Sequence, residues 1–485
     1  MHLLTHYDVL VIGSGPAGQK AAVQAAKAGR SVAVIEREQA VGGACVSRGT
    51  IPSKSLRESA LRAIQVRNSG ELFDGQLRSE IELGSLMSRV DSVITAHASY
   101  MARQLERNRV TLLHGRARFV TPHEVEVRSV SGFVQRVSAD IIAIATGSRP
   151  RTPPEVPVDH ENILDSDSIL SMVYLPASLC VLGSGVIASE YASIFANLGV
   201  RVTLVDKADR PLRFMDEELV KQFVTSLERT GGVYLGGRTL SSIAWDGVSQ
   251  VACTFGSAGS GSGSGSGSGR ETVRAEKVLV ALGRSANLEG LELANAGLAA
   301  TTRGLIEVDA NCRTLVPHIY AVGDVIGPPA LAATSMEQGR RAICHALGLP
   351  QGNSFATTPI GIYTVPEMAS VGLSVEEARK SGFEPVIGRA RFDEVARGQI
   401  SWVQDGLLKL VADADGKKLL GVHIVGEGAC ELIHLGQIAI AAGWEVDGFV
   451  EHIFNFPTLA EAYRVAALDV VGKRSRLAAP HALVG

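Results

Sequence analysis

Residues 7–18 read YDVLVIGSGPAG. The first six form a short apolar run rich in branched side chains, the pattern of a parallel strand buried on both faces. Gly13, Gly15 and Gly18 then space a tight turn, and QKAAVQAAKAGR continues as an alanine-rich helix. A second strand over residues 31–35 ends at Glu36. Strand, glycine turn, helix, strand and acid make one unit.

The unit returns downstream. Residues 179–182 are its strand, Gly183, Gly185 and Ala188 its turn, residues 189–198 its helix, and the strand Arg201–Val205 ends at Asp206. Glu36 follows Gly13 by 23 residues, and Asp206 follows Gly183 by 23. Equal spacing over two complete units predicts an α/β fold with two Rossmann-like dinucleotide-binding domains. The glycines admit a close backbone approach to a pyrophosphate, and the helix N-terminus offers free N–H groups with a partial positive charge. Glu36 and Asp206 are placed to accept hydrogen bonds from a ribose diol. The Ala188 methyl, at a third-glycine position, should move the second helix slightly off its strand without abolishing binding.

Length and composition agree with a multidomain globular protein: 485 residues, 46% hydrophobic and 20% charged, with a net charge of -3. The charge forms no basic block, so neither nucleic acid nor a membrane surface is an expected partner. No apolar run approaches the ~20 residues of a bilayer span. The first residues show no basic region or cleavage site, so no secretory signal is expected. Six cysteines (45, 180, 253, 312, 344 and 430) stand singly, without a CxxC pair, which suggests neither a disulfide framework nor a metal site.

Four segments are expected. Residues 1–155 carry the first part of the first dinucleotide-binding domain, 156–284 the second dinucleotide-binding domain, and 285–350 the second or central part of the first. Residues 351–485 form a C-terminal α+β dimerisation domain, with strands at 407–413 and 418–425 around Asp415-Gly416 and a helix at 429–442. The Gly/Ser tract 256–269, with a coil reach of roughly 20 Å, is read as a hairpin tip between strands at 250–255 and 272–282.

Other stretches carry a family resemblance. TLVPHIYAVGD, residues 314–324, resembles the second flavin motif of flavoproteins that bind two dinucleotides, in which the aspartate, here Asp324, holds a ribityl hydroxyl. Ala145-Thr146-Gly147 resembles the short motif linking their two nucleotide domains. GGACVSRGTIPSK, residues 42–54, resembles the redox loop of the pyridine nucleotide–disulfide oxidoreductases. Cys45 matches the first redox cysteine of that loop and Thr50 replaces the second. Where the family carries a His-Pro pair followed by a glutamate, this chain has Phe456, Pro457 and Glu461, and phenylalanine accepts no proton. With neither a disulfide relay nor its base, electrons on a flavin are expected to leave through the pocket by which they entered. That implies nicotinamide-to-nicotinamide transfer in a ping-pong scheme.

Together with DSDSIL (165–170), YASIF (191–195) and EAYRVAAL (461–468), these motifs resemble the soluble pyridine nucleotide transhydrogenases, of the Si-specific type. The resemblance implies FAD, NAD(H) and NADP(H), a cytoplasmic location, and a homodimer or larger homo-oligomer whose flavin sites are completed by a partner's C-terminal segment. It implies an ion pair of Lys54 and Glu190 beside flavin N5, with Cys45 (not as a disulfide) and Glu461 in the catalytic set. Glu36, Arg37, Gly42, Gly43, Ala44, Cys45, Thr50, Ala117, Thr146, Gly147, Asp324 and Ala332 would contact FAD. Gly183, Gly185, Ala188, Glu190, Asp206, Lys207 and Gly283 would contact NAD(P). Asp206 opposes a 2′-phosphate, an effect that Lys207, Arg210 and Arg213 offset if they turn toward the pocket. Two other functions share these motifs: an NAD(P)H:acceptor reductase using quinone or dye, and a non-catalytic flavoprotein redox sensor. Cys45 is open between a spectator and a residue that tunes the flavin.

Overall fold

In the computed structural model, which describes residues 4–68, 82–257, 270–352, 357–403 and 405–478, the strand Thr5–Ile12 lies inside a seven-stranded sheet. Its parallel neighbours are Val32–Glu36 and Val134–Ile144. Thr111–His114 extends the sheet on one side, and Ile319–Ala321 pairs with the carboxyl end of Val134–Ile144. The amino end of that long strand pairs antiparallel with Glu124–Arg128, which in turn pairs with Arg116–Phe119. Val9, Leu10, Val11 and Val34 are fully buried, as their unbroken apolar run requires. The chain winds outward from Thr5–Ile12 in both directions, so a crevice opens where that strand and Val134–Ile144 end.

A second, all-parallel sheet has the order Val233–Leu235, Arg201–Val205, Ser178–Leu182, Lys277–Val280, Ile163–Asp165. Its crevice lies beyond Ser178–Leu182 and Lys277–Val280. The two crevices are built alike. Gly13 and Gly183 both have φ of +104°, and a Cβ on either would run into a carbonyl of the neighbouring strand's exit, Ala145 or Ala281. Only glycine suits those positions.

The second helix begins at Val186 rather than 189, because the glycine turn leads straight into it. Residues 272–282, expected as one strand, are two. Glu271–Ala275 runs antiparallel to Val251–Ser257 in a three-stranded sheet with Arg238–Trp245, whereas Lys277–Val280 belongs to the parallel sheet. The chain changes sheets at Glu276, whose N–H donates to the Ser178 hydroxyl and whose carboxylate accepts the Ala177 N–H. Residues 258–269 of the expected hairpin tip lie outside the described residues.

Helix Pro16–Lys27 packs on helix Ala332–Ala346 through small side chains; a Cβ on Gly339 would run into the Ala17 carbonyl. This close approach brings the Ala332 end of the later helix to the first glycine turn. The C-terminal sheet is antiparallel, in the order Ile360–Ile362, Met368–Gly372, Leu419–Val425, Leu407–Ala412, Val386–Arg391. From it the buried Lys409 reaches both oxygens of Asp216, at 2.9 and 2.8 Å. Asp216 caps the helix Glu217–Arg229 that follows the second nucleotide unit. Glu218 joins this link through Lys409 and Arg389. Removing one partner of such a buried pair costs about 3–5 kcal/mol, so the link clamps the C-terminal sheet to the second nucleotide sheet. Among the described residues no helix is long and apolar enough to cross a membrane.

Candidate active site

Both crevices open into one cavity of about 1270 Å³. Gly13, Gly15, Glu36, Arg37, Gly43, Ala44, Ala117, Thr146, Gly147, Asp324 and Ala332 line one end. Gly183, Gly185, Asp206, Lys207 and Gly283 line the other, with Cys45, Thr50, Lys54 and Glu190 also in the wall. Gly18, Gly42 and Ala188 do not line it. A Cβ on Gly18 would strike the Gly13 carbonyl and one on Gly42 would strike Val46, so these two shape the turns from behind. Ala188 is fully buried. Glu461 also stands apart: it opens the helix Glu461–Ala478, and its carboxylate faces the Thr458 N–H at 3.4 Å. Phe456, in the loop before it, is 69% exposed.

Gly15 and Gly185 stand at the N-termini of helices Pro16–Lys27 and Val186–Asn197, with no side chain capping either. A Cβ at either position would meet nothing within 4 Å. Free N–H groups facing open space are what a pyrophosphate needs. The Thr146 hydroxyl, in the same wall, is buried without a partner. Space and donors thus fit a dinucleotide at each end.

Glu36 is only 5% exposed. One of its oxygens accepts the Ser14 N–H at 2.9 Å and the Ser14 hydroxyl at 2.6 Å, and the other accepts the Glu38 N–H at 2.9 Å. Ser14 in turn accepts the Gly42 N–H at 3.0 Å. The acid therefore braces the glycine turn as well as facing the cavity, and Oε1, which accepts a single bond, keeps acceptor capacity. Ser14 was invisible in the glycine pattern, which treats its position as any residue.

Cys45 sits in the short helix Gly43–Ser47, and Thr50 opens the next, Thr50–Asn68. The Thr50 side chain neighbours the Cys45 thiol and favours its ionised form. Burial pushes the Cys45 thiol above its ordinary pKa, outweighing the opposing effects of Thr50 and Lys54. The sulfur is thus a protonated thiol at neutral pH. All six cysteines are free.

Lys54 Nζ lies 2.8 and 2.6 Å from the two oxygens of Glu190. The Tyr363 N–H donates to Glu190 Oε1 at 2.9 Å, and Lys54 Nζ lies 5.0 Å from the centre of the Tyr363 ring. Three distant segments meet here: a helix after the first unit, the helix of the second unit, and the C-terminal sheet's first loop. Sequence reading supplied Lys54 and Glu190 and missed Tyr363, which no local pattern marks.

Asp206 Oδ1 accepts the Ala208 N–H at 2.7 Å. Beside it a side pocket is lined by Lys207, Arg213 and Phe214. Of the three cations that could have turned toward this pocket, Arg210 does not line it. Its guanidinium donates to the carbonyls of Met215 and Arg213, each at 3.2 Å, and so braces the loop that carries Arg213. Arg238, unmarked in the sequence, lines the same end of the cavity and pairs with Glu271 at 2.7 Å.

Two dinucleotide crevices sharing one cavity, with a cysteine-bearing loop in its wall, define a nucleotide-dependent oxidoreductase. Comparison with known proteins gives its kinship. Residues 7–339 match the family model described as pyridine nucleotide-disulphide oxidoreductase, and residues 358–467 match that family's dimerisation domain. The chain belongs to the pyridine nucleotide-disulphide oxidoreductase family. It is 44% identical over 477 residues to a soluble pyridine nucleotide transhydrogenase of Mycobacterium bovis, covering 98% of this chain and 99% of the relative. A protein of the same name from Vibrio atlanticus is 39% identical, covering 96% and 98%. Among solved structures, LpdA from Mycobacterium tuberculosis superposes with a TM-score of 0.86 at 27% identity, covering 96% of this chain and 99% of that one. The HOCl-induced flavoprotein disulfide reductase RclA from Escherichia coli gives 0.83 at 25% identity, covering 95% and 99%. This family implies FAD and NAD(P)H as cofactors, and the dimerisation match points to a homodimer. The exposed Leu435, Ile438 and Phe456 lie within the matched dimerisation segment.

Proposed function

We propose that this chain is a Si-specific NAD(P)+ transhydrogenase of the cytoplasm that moves reducing equivalents between NADPH and NAD+, in either direction, without a redox-active disulfide. The observation carrying this reading is the Cys45–Thr50 contact: one protonated thiol meets a hydroxyl, so no sulfur pair is available to pass electrons onward. When bound, FAD supplies a two-electron relay between one nicotinamide and the next.

The chain's own residues bind and orient. Gly15 and Gly185 leave helix N-termini open to the two pyrophosphates, and Glu36 and Asp206 take the ribose diols. Lys54, held by both oxygens of Glu190, presents a fixed positive charge in the cavity wall. Tyr363 anchors Glu190 from the C-terminal sheet through its backbone N–H. With one nicotinamide crevice for two substrates, the first product leaves before the second substrate enters, which makes the kinetics ping-pong. Six free thiols suit a reducing compartment.

The test mixes NADPH with thio-NAD+ anaerobically and follows thionicotinamide reduction. Parallel double-reciprocal plots are expected, with no turnover of lipoamide or glutathione disulfide. Turnover of either disulfide at a comparable rate, or a quinone or dye reduced while thio-NAD+ is not, would replace the reading.

A further inference from the structure

Ser148 stands where the chain leaves the first nucleotide sheet. The strand Ser148–Pro150 pairs antiparallel with Arg284–Ala286, which follows the last strand of the second sheet's core. This two-stranded ribbon therefore joins the exits of the two dinucleotide crevices. Ser148 is 7% exposed. Its hydroxyl donates to Asp324 Oδ2 at 2.5 Å and accepts from Arg284 Nε at 2.7 Å. Arg284 also donates to the Ser148 carbonyl at 2.8 Å. All three side chains border the cavity.

A serine hydroxyl has one hydrogen. Here it is committed to the carboxylate while the oxygen receives the guanidinium, so the chain of donors has one direction, from Arg284 through Ser148 to Asp324. Both links are charge-assisted, which makes them shorter and stronger than neutral bonds. Asp324 lies in the flavin half of the cavity, whereas Arg284 follows Gly283 in the nicotinamide half.

We propose that Ser148 is a positioning residue that orients the Asp324 carboxylate toward the ribityl chain of FAD and ties that orientation to Arg284 beside the nicotinamide nucleotide, so that the two cofactors bind cooperatively. The proposal rests on Asp324 acting as a flavin ligand, as read above. An NAD(P)+ that engages Arg284 should tighten FAD, and FAD should tighten NAD(P)+ by the same factor.

Ser148→Ala removes one hydrogen bond to a charged group on each side, and losing the Asp324 bond alone corresponds to about tenfold weaker FAD binding. The measurement is equilibrium FAD release from purified holoenzyme, read by flavin fluorescence, with and without saturating NADP+. The expected result is about tenfold greater release from Ser148→Ala, with the protective effect of NADP+ lost. Ser148→Thr, which keeps the hydroxyl, should restore both. Arg284→Gln leaves the serine–aspartate bond in place, so it should lose the NADP+ effect while retaining FAD nearly as well as wild type. In the double variant the two changes should be strongly non-additive. FAD retention within twofold of wild type in Ser148→Ala, or a full NADP+ effect in Arg284→Gln, would overturn the proposal. The readout needs no turnover, so an inactive wild type that binds FAD normally would defeat the functional reading and leave this test intact.

Discussion

Replacing Asp206 with alanine is expected to raise kcat/KM for NADPH about tenfold to thirtyfold. The carboxylate ends the strand Arg201–Val205, is held by the Ala208 N–H, and borders both the main cavity and the side pocket. A 2′-phosphate carries about -1.5 to -2 charges at neutral pH. At about 4 Å each unit is opposed by about 1 kcal/mol at the dielectric of water and about 4 at an effective value near 20. The lower figure applies, because Arg213 in the same pocket is 71% exposed and the region is open to solvent. Removing the carboxylate then returns about 1.5–2 kcal/mol, and about 1.4 corresponds to a factor of ten. Loss of the ribose-diol acceptor should lower kcat/KM for NADH severalfold at the same time. Lys207→Gln and Arg213→Gln should do the reverse, weakening NADPH and sparing NADH, since both cations border the pocket. Arg210→Gln should act in the same direction as Arg213→Gln but more weakly, because Arg210 only braces the loop that carries Arg213. Initial rates with each reduced coenzyme against thio-NAD+ give the ratio directly. A NADPH/NADH ratio unchanged within twofold in Asp206→Ala would refute the placement of that carboxylate at the ribose.

Three further outcomes are expected. Cys45→Ser should keep FAD and most nicotinamide-to-nicotinamide transfer, because the thiol is protonated and has no sulfur partner; loss of transfer with FAD still bound would show that the sulfur is needed. Lys54→Met removes a charge-assisted bond to a buried carboxylate, so kcat should fall about tenfold or more, with Lys54→Arg recovering part of it; a steady-state kcat within twofold of wild type would remove the ion pair from the mechanism. His423 is fully enclosed, hydrogen-bonded to Ser370 and the Leu373 carbonyl, and burial lowers its pKa against the opposing pull of Asp216. The unfolded chain takes that proton near pH 6.5 while the folded protein resists it, so stability should drop as pH falls below about 6.5. Thermal melts of wild type and His423→Gln over that range should diverge toward acid, and parallel curves would assign the acid sensitivity elsewhere.

The parts of the site legible in the sequence are those that repeat locally. Two glycine turns, two terminal acids and two short motifs, at 145–147 and 314–324, each span fewer than a dozen residues, and the cavity gathers nearly all of them. The misreadings occur where geometry is decided at a distance. Residues 272–282 keep one apolar texture while the chain passes between sheets at Glu276, and periodicity reports burial without reporting which sheet supplies it. Arg210 and Arg213 look equivalent in a basic loop, yet backbone carbonyls capture the first and leave the second in the pocket.

Ser148, Tyr363 and Lys409 escaped notice for one shared reason. Each acts on a partner far away in sequence: Ser148 on Asp324, Tyr363 on Glu190, Lys409 on Asp216. None has a neighbour that marks it, and serine, tyrosine and lysine are ordinary at such positions. Their contacts nonetheless determine how the legible motifs face one another. Glycine turns can bind two nucleotides wherever the two domains sit, but transfer between nicotinamides needs the reacting atoms held to within about 3–3.5 Å. The ribbon at Ser148, the Tyr363 loop and the Lys409 clamp tie the two nucleotide sheets to each other and to the C-terminal sheet. The chemistry is written in repeated local motifs, while the alignment that makes it productive depends on single long-range bonds.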